Sequence, residues 1–553
     1  MPSLDRLRLS LLCRRHFAAL AFTLGIIGTS CVATAADYIK GVTYFGKSWP
    51  VAFWNSDQRE SDADFKQIRG DGFNTLILVV PWGEFQPGLS PVRFNDAAYA
   101  RLGKLCQNAK SNGLDVMLRV SYLWDFQPNV QMPNHERSNA LLANDKLLPA
   151  WRLYLQRIAQ ATSNCASTSF ISWEDFWPII QWVATKHSPE DAANVAKLVG
   201  FDSWVRKSNA RDFLANNAAL AKKLGAYPIP SRDDPSFRLM FQWFDEQLSM
   251  RLLPELAHQV GSASIEARID DDPIYENGKV REWYSHKQTY QVNSSSLLMS
   301  YWAPAMGAEN HGQLDPASKV LERFIHMQKK VRTSSKNQIF IEQFLFTDNT
   351  PSAKQNAQIA PEQIRTFLKD VTDPMLQFTS GYALWGARDY DADMLFNSSF
   401  ALGSEGWTLT PGASLRRAAG GHEIRLRQGA GINQKQPAIR CHFCATAKST
   451  TLRLRARGPG EISAMYASST RTHRLKTGDQ TVIMEFPVIA NDTELTIKSE
   501  LGDISLTDVK LYDFTQRFGV RDANGSPGPY LTDIQALNRR LTTASASNSS
   551  TPK

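Results

Sequence analysis

The alternation of strand-like and helix-like segments between residues 38 and 392 constrains this chain more than any other feature. Residues 40–45 read as a first strand. Residues 74–80 form a continuous apolar run, as expected of a strand buried on both faces. Segments 115–120, 170–173, 264–269, 297–302, 339–344 and 381–385 continue the series. Helical patterns separate them at 62–70, 96–112 (closed by Gly113), 149–162, 315–331 and 361–371. A longer helical stretch, 175–260, carries stop signals at Pro228-Ile-Pro230 and Asp234-Pro235, and its last part, 237–260, reads as one amphipathic helix. That is more than one crossover needs, so part of it is expected to lie as an insertion over one end of the fold. Eight strands alternating with helices predict an α/β fold, a closed (β/α)8 TIM barrel.

The pattern changes near residue 392. Period-two segments at 423–427, 451–456, 461–466, 481–486, 494–498 and 509–514, separated by turn residues, predict an all-β, jelly-roll-like sandwich. A helix over 530–541 then precedes a Ser/Thr-rich tail expected to be disordered. The domain boundaries follow: 1–36 a signal segment, 37–392 the barrel, 393–516 the sandwich, and 517–553 the final helix and tail.

The N-terminus has the layout of an export signal. Arg6, Arg8, Arg14 and Arg15 precede an apolar stretch from Phe17 to Ile27, and Ala33-Thr-Ala35 supplies a small-residue cleavage pattern. The stretch is too short to span a bilayer comfortably. General secretion and, through Arg14-Arg15, twin-arginine export both fit, with a periplasmic or secreted destination. Removing the signal takes away four Arg and one Asp, so the formal charge of +8 falls to +5. The remaining Lys and Arg are scattered, and no basic run interleaved with aromatics suggests nucleic acid. The mature chain keeps Cys106, Cys165, Cys441 and Cys444, and an exported location permits disulfides. Cys441-His-Phe-Cys444 can bridge itself or bind metal; without a second such pair, zinc is the weaker reading. The run Asp270–Asp272 lacks calcium-loop spacing and reads as a solvated loop. His286, His311 and His326 read as ordinary surface or helix residues. No cofactor or metal is called for.

Catalytic groups of such barrels lie at the C-terminal ends of the strands. Those ends carry Tyr44, Trp82, Arg119, Tyr122, Trp124, Trp173, Glu266, Arg268, Tyr301, Trp302 and Trp385, together with Glu174 and Glu342. Glu174 lies in Phe170-Ile-Ser-Trp-Glu-Asp-Phe176 and Glu342 in Ile339-Phe-Ile-Glu-Gln-Phe-Leu-Phe346, both read as buried strands. A carboxylate among Trp, Phe and Ile is costly unless paired or used. Two such glutamates, with aromatic plates and arginines around them, suit glycosidic-bond cleavage and sugar binding. Asp175, facing the opposite way by strand alternation, is the rival of Glu174. Glu266 reads as a buried partner of Arg268 or Arg119 ahead of a catalytic role.

On these residues the barrel resembles the clan A retaining glycoside hydrolases. The resemblance implies that Glu174, ending strand four, is the acid/base and that Glu342, ending strand seven, is the nucleophile. It implies Tyr301 as a contact of the nucleophile and Trp385 as the floor under the reacting sugar. Two departures stand out: Trp173 occupies the place of an Asn that holds the sugar 2-hydroxyl, and no arginine ends strand two, leaving Arg119 or Arg268 as substitutes. The stretch Ile229-Pro-Ser-Arg-Asp-Asp-Pro235 is similar in texture to the family-42 β-galactosidases. Leu395-Phe-Asn-Ser-Ser-Phe400 with Glu405-Gly-Trp-Thr408 is similar to the opening of carbohydrate-binding jelly-roll modules, in which Trp407 would be core.

The expected function is an exported hydrolase of a polysaccharide or oligosaccharide, acting by double displacement. The acid role requires a proton on Glu174, which Trp173, Phe176 and Trp177 are expected to favour, while Glu342 is expected to stay ionised. A non-catalytic barrel that binds exopolysaccharide and a transglycosylase using the same site are the alternatives.

Overall fold

The structure is a computed structural model. It describes residues 37–56, 61–123, 134–143, 146–185, 188–291, 297–307, 312–347, 356–418, 421–436, 449–488 and 493–549. The signal segment, Trp124, His311 and the Cys441–Cys444 pair lie outside these residues.

Eight parallel strands close into a barrel: β1 (Ile39–Tyr44), β2 (Thr75–Pro81), β3 (Asp115–Tyr122), β4 (Ala166–Ile171), β5 (Ala263–Ala267), β6 (Leu297–Trp302), β7 (Gln338–Phe344) and β8 (Thr379–Leu384). Each pairs with its neighbours in sequence, and β1 pairs with β8. Side chains alternate between lumen and helix layer, as the strand period demands. Ile77, Met117, Phe170, Leu297, Met299, Phe340 and Ala383 pack together inside the lumen. Their strand neighbours Leu76, Leu78, Val116, Leu118, Ile171, Leu298, Ile339 and Ile341 join the outer core under the helices. The β1–β8 seam is tight: a Cβ at Gly381 would stand 2.5 Å from the Ile39 Cβ and 2.6 Å from its carbonyl oxygen.

The expected 237–260 helix is continuous but not uniform. Arg238–Glu246 is α-helical, Gln247–Leu252 widens into a π-segment, and Leu253–Val260 returns to α. A disulfide joins Cys106, in the helix Asp96–Ser111, to Cys165, just after the helix Leu148–Thr162. No described helix is long and apolar enough to cross a membrane.

The sandwich has two antiparallel sheets. One runs in the order Ala413–Ala418, Gly421–Leu426, Ile504–Gln516, Thr450–Arg457 and Asp479–Phe486, with Tyr390–Asp393 pairing alongside. The other runs Thr408–Leu409, Gly431–Gln436, Thr493–Leu501, Gly460–Tyr466 and Ser469–Leu475. Their inner faces form a separate core that contains Phe400 and Trp407.

The last helix, Leu531–Ser549, runs eight residues beyond Leu541, so the expected disordered tail is helical to Ser549. It also belongs to the barrel. Leu531, Ile534, Leu537 and Leu541 pack in the barrel core. Tyr382 of β8 donates to Asn538 at 2.7 Å, and Lys40, its register partner on β1, donates to Thr542 at 2.7 Å. Arg521 clamps Asp71 through two 2.7 Å bonds just before the helix begins. The helix therefore fills the eighth barrel position, and the sandwich is inserted between β8 and its helix.

Candidate active site

One residue above the apolar lumen layer in each strand's inward series, the side chains turn polar. Met117 is followed two residues on by Arg119, Phe170 by Ser172, and Phe340 by Glu342; Glu266 of β5 sits level with lumen residue Met299 of β6. Arg119 is the centre. Its Nε and Nη2 grip Asp175 at 3.0 and 2.7 Å. Nη2 also donates to Ser172 Oγ at 2.9 Å and lies 3.4 Å from Glu174 Oε2, while Nη1 donates to Gln343 at 3.1 Å and lies 3.5 Å from Glu342 Oε1. The guanidinium also sits 5.5 Å from the ring of Trp385 and 5.7 Å from that of Tyr122. Trp385 is half-buried, with its ring 5.3 Å from Phe45.

Two β-bulges make this convergence possible. In β7, Ile341 pairs with Ser300 and Gln343 with Tyr301, so Glu342 is the extra residue. The bulge lets consecutive side chains, Glu342 and Gln343, reach the same Nη1. In β3, Val120 pairs with Val80 and Tyr122 with Pro81, leaving Ser121 extra at φ 62°. That left-handed residue returns Tyr122 to the face of Arg119, three positions away, which regular alternation forbids. Ser121 is held there by Trp151, which donates to its Oγ at 2.7 Å, and by its own N–H donating to Tyr154 at 3.0 Å.

Strand β4 ends at Ile171, earlier than expected, and Glu174–Phe176 is a single 3-10 turn. Alternation therefore does not separate Glu174 from Asp175, and both face Arg119. Asp175 is fully buried; burial pushes its carboxyl up to about 6 against the pull of Arg119. Glu174 keeps a 32% exposed side chain and is not enclosed by its aromatic neighbours, since Trp173 and Phe176 turn into the core. Glu266 accepts a hydrogen bond from Ser172 Oγ and lies 3.5 Å from the N–H of Glu174. It forms no ion pair with Arg119 or Arg268 among the described residues. Burial pushes it up to about 7, with Arg119 opposing and Glu174 adding to the rise.

Glu342 differs most from expectation. It is 0% exposed, and neither oxygen accepts a hydrogen bond among the described residues. Burial raises its carboxyl well above the usual range; Arg119 opposes this, and the nearby carboxylates Glu266, Glu174 and Asp175 reinforce it. Burial thus works against the ionised form of Glu342 that the sequence leads one to expect, and Arg119 works for it. The two Nη atoms of a guanidinium are about 2.3 Å apart, so the contacting oxygens of Glu174 and Glu342 lie within about 9 Å of each other. That ceiling admits the separations of both retaining and inverting glycosidases.

The other expected aromatics fall behind the sheet. Tyr44 donates to Asp64 at 2.7 Å in the helix layer. Trp82 donates to Gln86 at 2.6 Å and is fully buried. Trp302 stacks against both Phe344 and Phe367, at 5.1 and 5.5 Å. Trp173 is buried and donates to Asp245 at 2.9 Å. Tyr44 and Trp302 sit on the outward parity of their strands, Trp82 and Trp173 just beyond the ends of theirs, and all four join the core outside the lumen. Tyr301 is half-buried at the end of β6, beside Gln343 in register. Arg268 lies 5.1 Å from the ring of Trp173 and pairs with Asp270 at 2.8 Å.

His286 is not a surface residue. It is buried between Asp245 (2.8 Å) and Asp272 (3.0 Å), edge-on to Trp173. Burial alone would lower it, but the two carboxylates prevail and hold it up to about 9. Asp270 and Asp272 belong to this ion network rather than to a solvated loop, and Asp271 pairs with Lys330. Ser172 and Gln343 were not foreseen as site residues; Ser172 was detectable as the inward neighbour of Phe170, whereas Gln343 reaches the site only through the bulge at Glu342.

No protein-family model matches the chain, and no curated protein matches it. Solved structures similar to it include a GH5_18 protein from Bifidobacterium longum subsp. infantis, 13% identical over 65% of this chain and 71% of that one, with a TM-score of 0.38. A GH5_18 protein from Streptomyces cattleya in complex with GlcNAc is 13% identical over 65% and 72%, with a TM-score of 0.39. An exo-beta-1,4-mannosidase from an Opitutaceae bacterium is 13% identical over 64% and 52%, with a TM-score of 0.38.

Proposed function

We propose that the chain is an exported glycoside hydrolase cleaving O-glycosidic bonds of a polysaccharide or oligosaccharide. One observation carries this reading: glutamates following β4 and within β7 meet at a single buried guanidinium, beside a half-buried tryptophan, at the C-terminal end of the barrel. In the retaining cycle Glu342, as carboxylate, attacks the anomeric carbon while Glu174 protonates the leaving oxygen. Glu174 then takes a proton from water, whose oxygen displaces Glu342. The Cys106–Cys165 disulfide supports an oxidising, exported location. A family-42-like branch and a glycan-binding sandwich remain part of the proposal, on the motifs given above.

The burial of Glu342 favours a second assignment within the same activity: Glu342 is the acid and Glu174, more exposed and near Arg119, is the nucleophile. Glu342→Gln and Glu174→Gln proteins, assayed with the unsubstituted chain on a panel of polysaccharides, test the function. Equal activity of all three would end the hydrolase reading. Azide rescue of the Ala variants separates the roles: the nucleophile variant yields an azide of inverted anomeric configuration, and the acid/base variant one of retained configuration.

A further inference from the structure

We propose that a groove between the barrel and the sandwich is a second glycan site, selective for acidic, carboxylate-bearing polysaccharide. The groove, about 750 Å³, runs between the helix Asp96–Ser111 and the hairpin of Ala413–Ala418 and Gly421–Leu426. That size falls in the range of ligand-binding clefts. Its barrel side presents Lys104, Asn95 and Asn108, and its sandwich side presents Arg417 and His422. Lys104 and Arg417 are exposed and His422 is half-buried, and none of the three has an ionic or hydrogen-bond partner among the described residues. Among the described residues the one carboxylate in the lining, Asp62, is already held by Lys66 at 3.0 Å and Asn112 at 3.0 Å. Among the described residues the groove thus presents Lys104 and Arg417 as unpaired cations from both domains, with amides between.

The walls are fixed. Arg101 Nη1 donates to the carbonyls of Phe53, Trp54 and Ser56 at 2.6, 3.2 and 2.9 Å, and its guanidinium lies 4.4 Å from the Phe53 ring. The sandwich is tied to the same barrel loop, with Asn397 N–H donating to Asn55 at 3.0 Å. The walls that carry Lys104 and Arg417 are therefore tied to one barrel loop before any ligand arrives, which lowers the ordering cost of binding. Separated cations with intervening amides fit a chain that alternates carboxylates with hydroxyls. Neutral glycan leaves the cations unused, and a peptide polyanion has no hydroxyls for the amides. The choice of a polysaccharide as occupant rests on the glycoside-cleaving reading of the barrel; the charge argument does not.

The test is calorimetric titration of the full chain with an oligogalacturonate, a neutral manno-oligosaccharide and poly-glutamate, all in the Glu342→Gln background so that nothing is cleaved. The oligogalacturonate is expected to bind tightest, with affinity falling as salt rises. Lys104→Ala/Arg417→Ala is expected to weaken it at least about tenfold, because it removes two charged hydrogen-bonding groups, and His422→Ala severalfold, because it removes a hydrogen-bonding ring. Arg471→Ala/Arg474→Ala, on the exposed strand Ser469–Leu475, is the control and is expected to leave affinity unchanged. Oligogalacturonate binding no tighter than the manno-oligosaccharide, equal binding of poly-glutamate, or an equal loss in the control would each overturn the proposal. A chain that cleaves no glycan yet binds oligogalacturonate in the groove would refute only the catalytic reading; cleavage without groove binding would refute only this one.

Discussion

Replacing Glu266 with Gln should make the protein more stable at alkaline pH, by an amount set by its burial. Glu266 is 1% exposed, and burial pushes its carboxyl up to about 7 from 4.5. A carboxyl raised in the folded state favours folding most fully below its unfolded pKa, and that contribution is lost as pH rises through the folded value. At pH 8 both states are ionised, and the folded one carries the whole penalty, about 3 kcal/mol at 1.36 kcal/mol per pH unit. At pH 5 the folded state is protonated and the difference shrinks to under about 1 kcal/mol. Gln keeps an oxygen that accepts from Ser172 and never carries the charge. Glu266→Gln should therefore gain about 3 kcal/mol over the parent at pH 8 and little at pH 5. The assay is urea unfolding of both proteins at the two pH values, following the barrel transition. A gain independent of pH, or a Gln protein no more stable at pH 8, would refute the reasoning, because either means that Glu266 has no buried charge to lose.

Other consequences follow from the same contacts. Arg119→Met strands Asp175 without its cation and should cost about 3–5 kcal/mol at neutral pH, measurable by urea unfolding, with activity lost in parallel. His286 is raised to about 9, so its contribution is fully present below about 6.5 and is lost as pH rises through 9; His286→Asn should flatten the alkaline stability loss seen by thermal melts from pH 7 to 10. Reducing the Cys106–Cys165 bond, which closes a span of 59 residues, should lower stability by up to about 4 kcal/mol in denaturant titrations with and without reductant. Ser121→Ala deprives the Trp151 indole of its acceptor and should cost about 1–3 kcal/mol by the same measurement.

The barrel was legible because strands buried on both faces must be continuously apolar. Seven of the eight strands match expectation to within two residues at both ends, β4 starting four residues early, and β6 matches at both ends. The strand-end aromatics show where reading stopped. Tyr44 and Trp302 stand on the outward parity of their strands and Trp82 and Trp173 just past the ends of theirs, and parity is useful only where strand end and register are known. Arg119 and Glu342 lie on inward parity and reached the site. Tyr122 and Gln343 reached it only through bulges, which insert a residue without a mark in composition. His286 gave no signal at all, since its two carboxylate partners lie 41 and 14 residues away.

By itself the sequence determined the alternation of elements, the change to a sandwich near residue 392, and the glutamates that the strand ends offer, because all of these follow from local periodicity. The tertiary structure decided the rest. It placed Arg119 among the carboxyl groups of Glu174, Asp175 and Glu342, left Glu342 with no hydrogen-bond donor among the described residues, and brought the last helix back to close the barrel. Those outcomes depend on which strands pair, in what register, and where a bulge shifts it. These are properties of contacts between distant segments, so no window of neighbouring residues contains them.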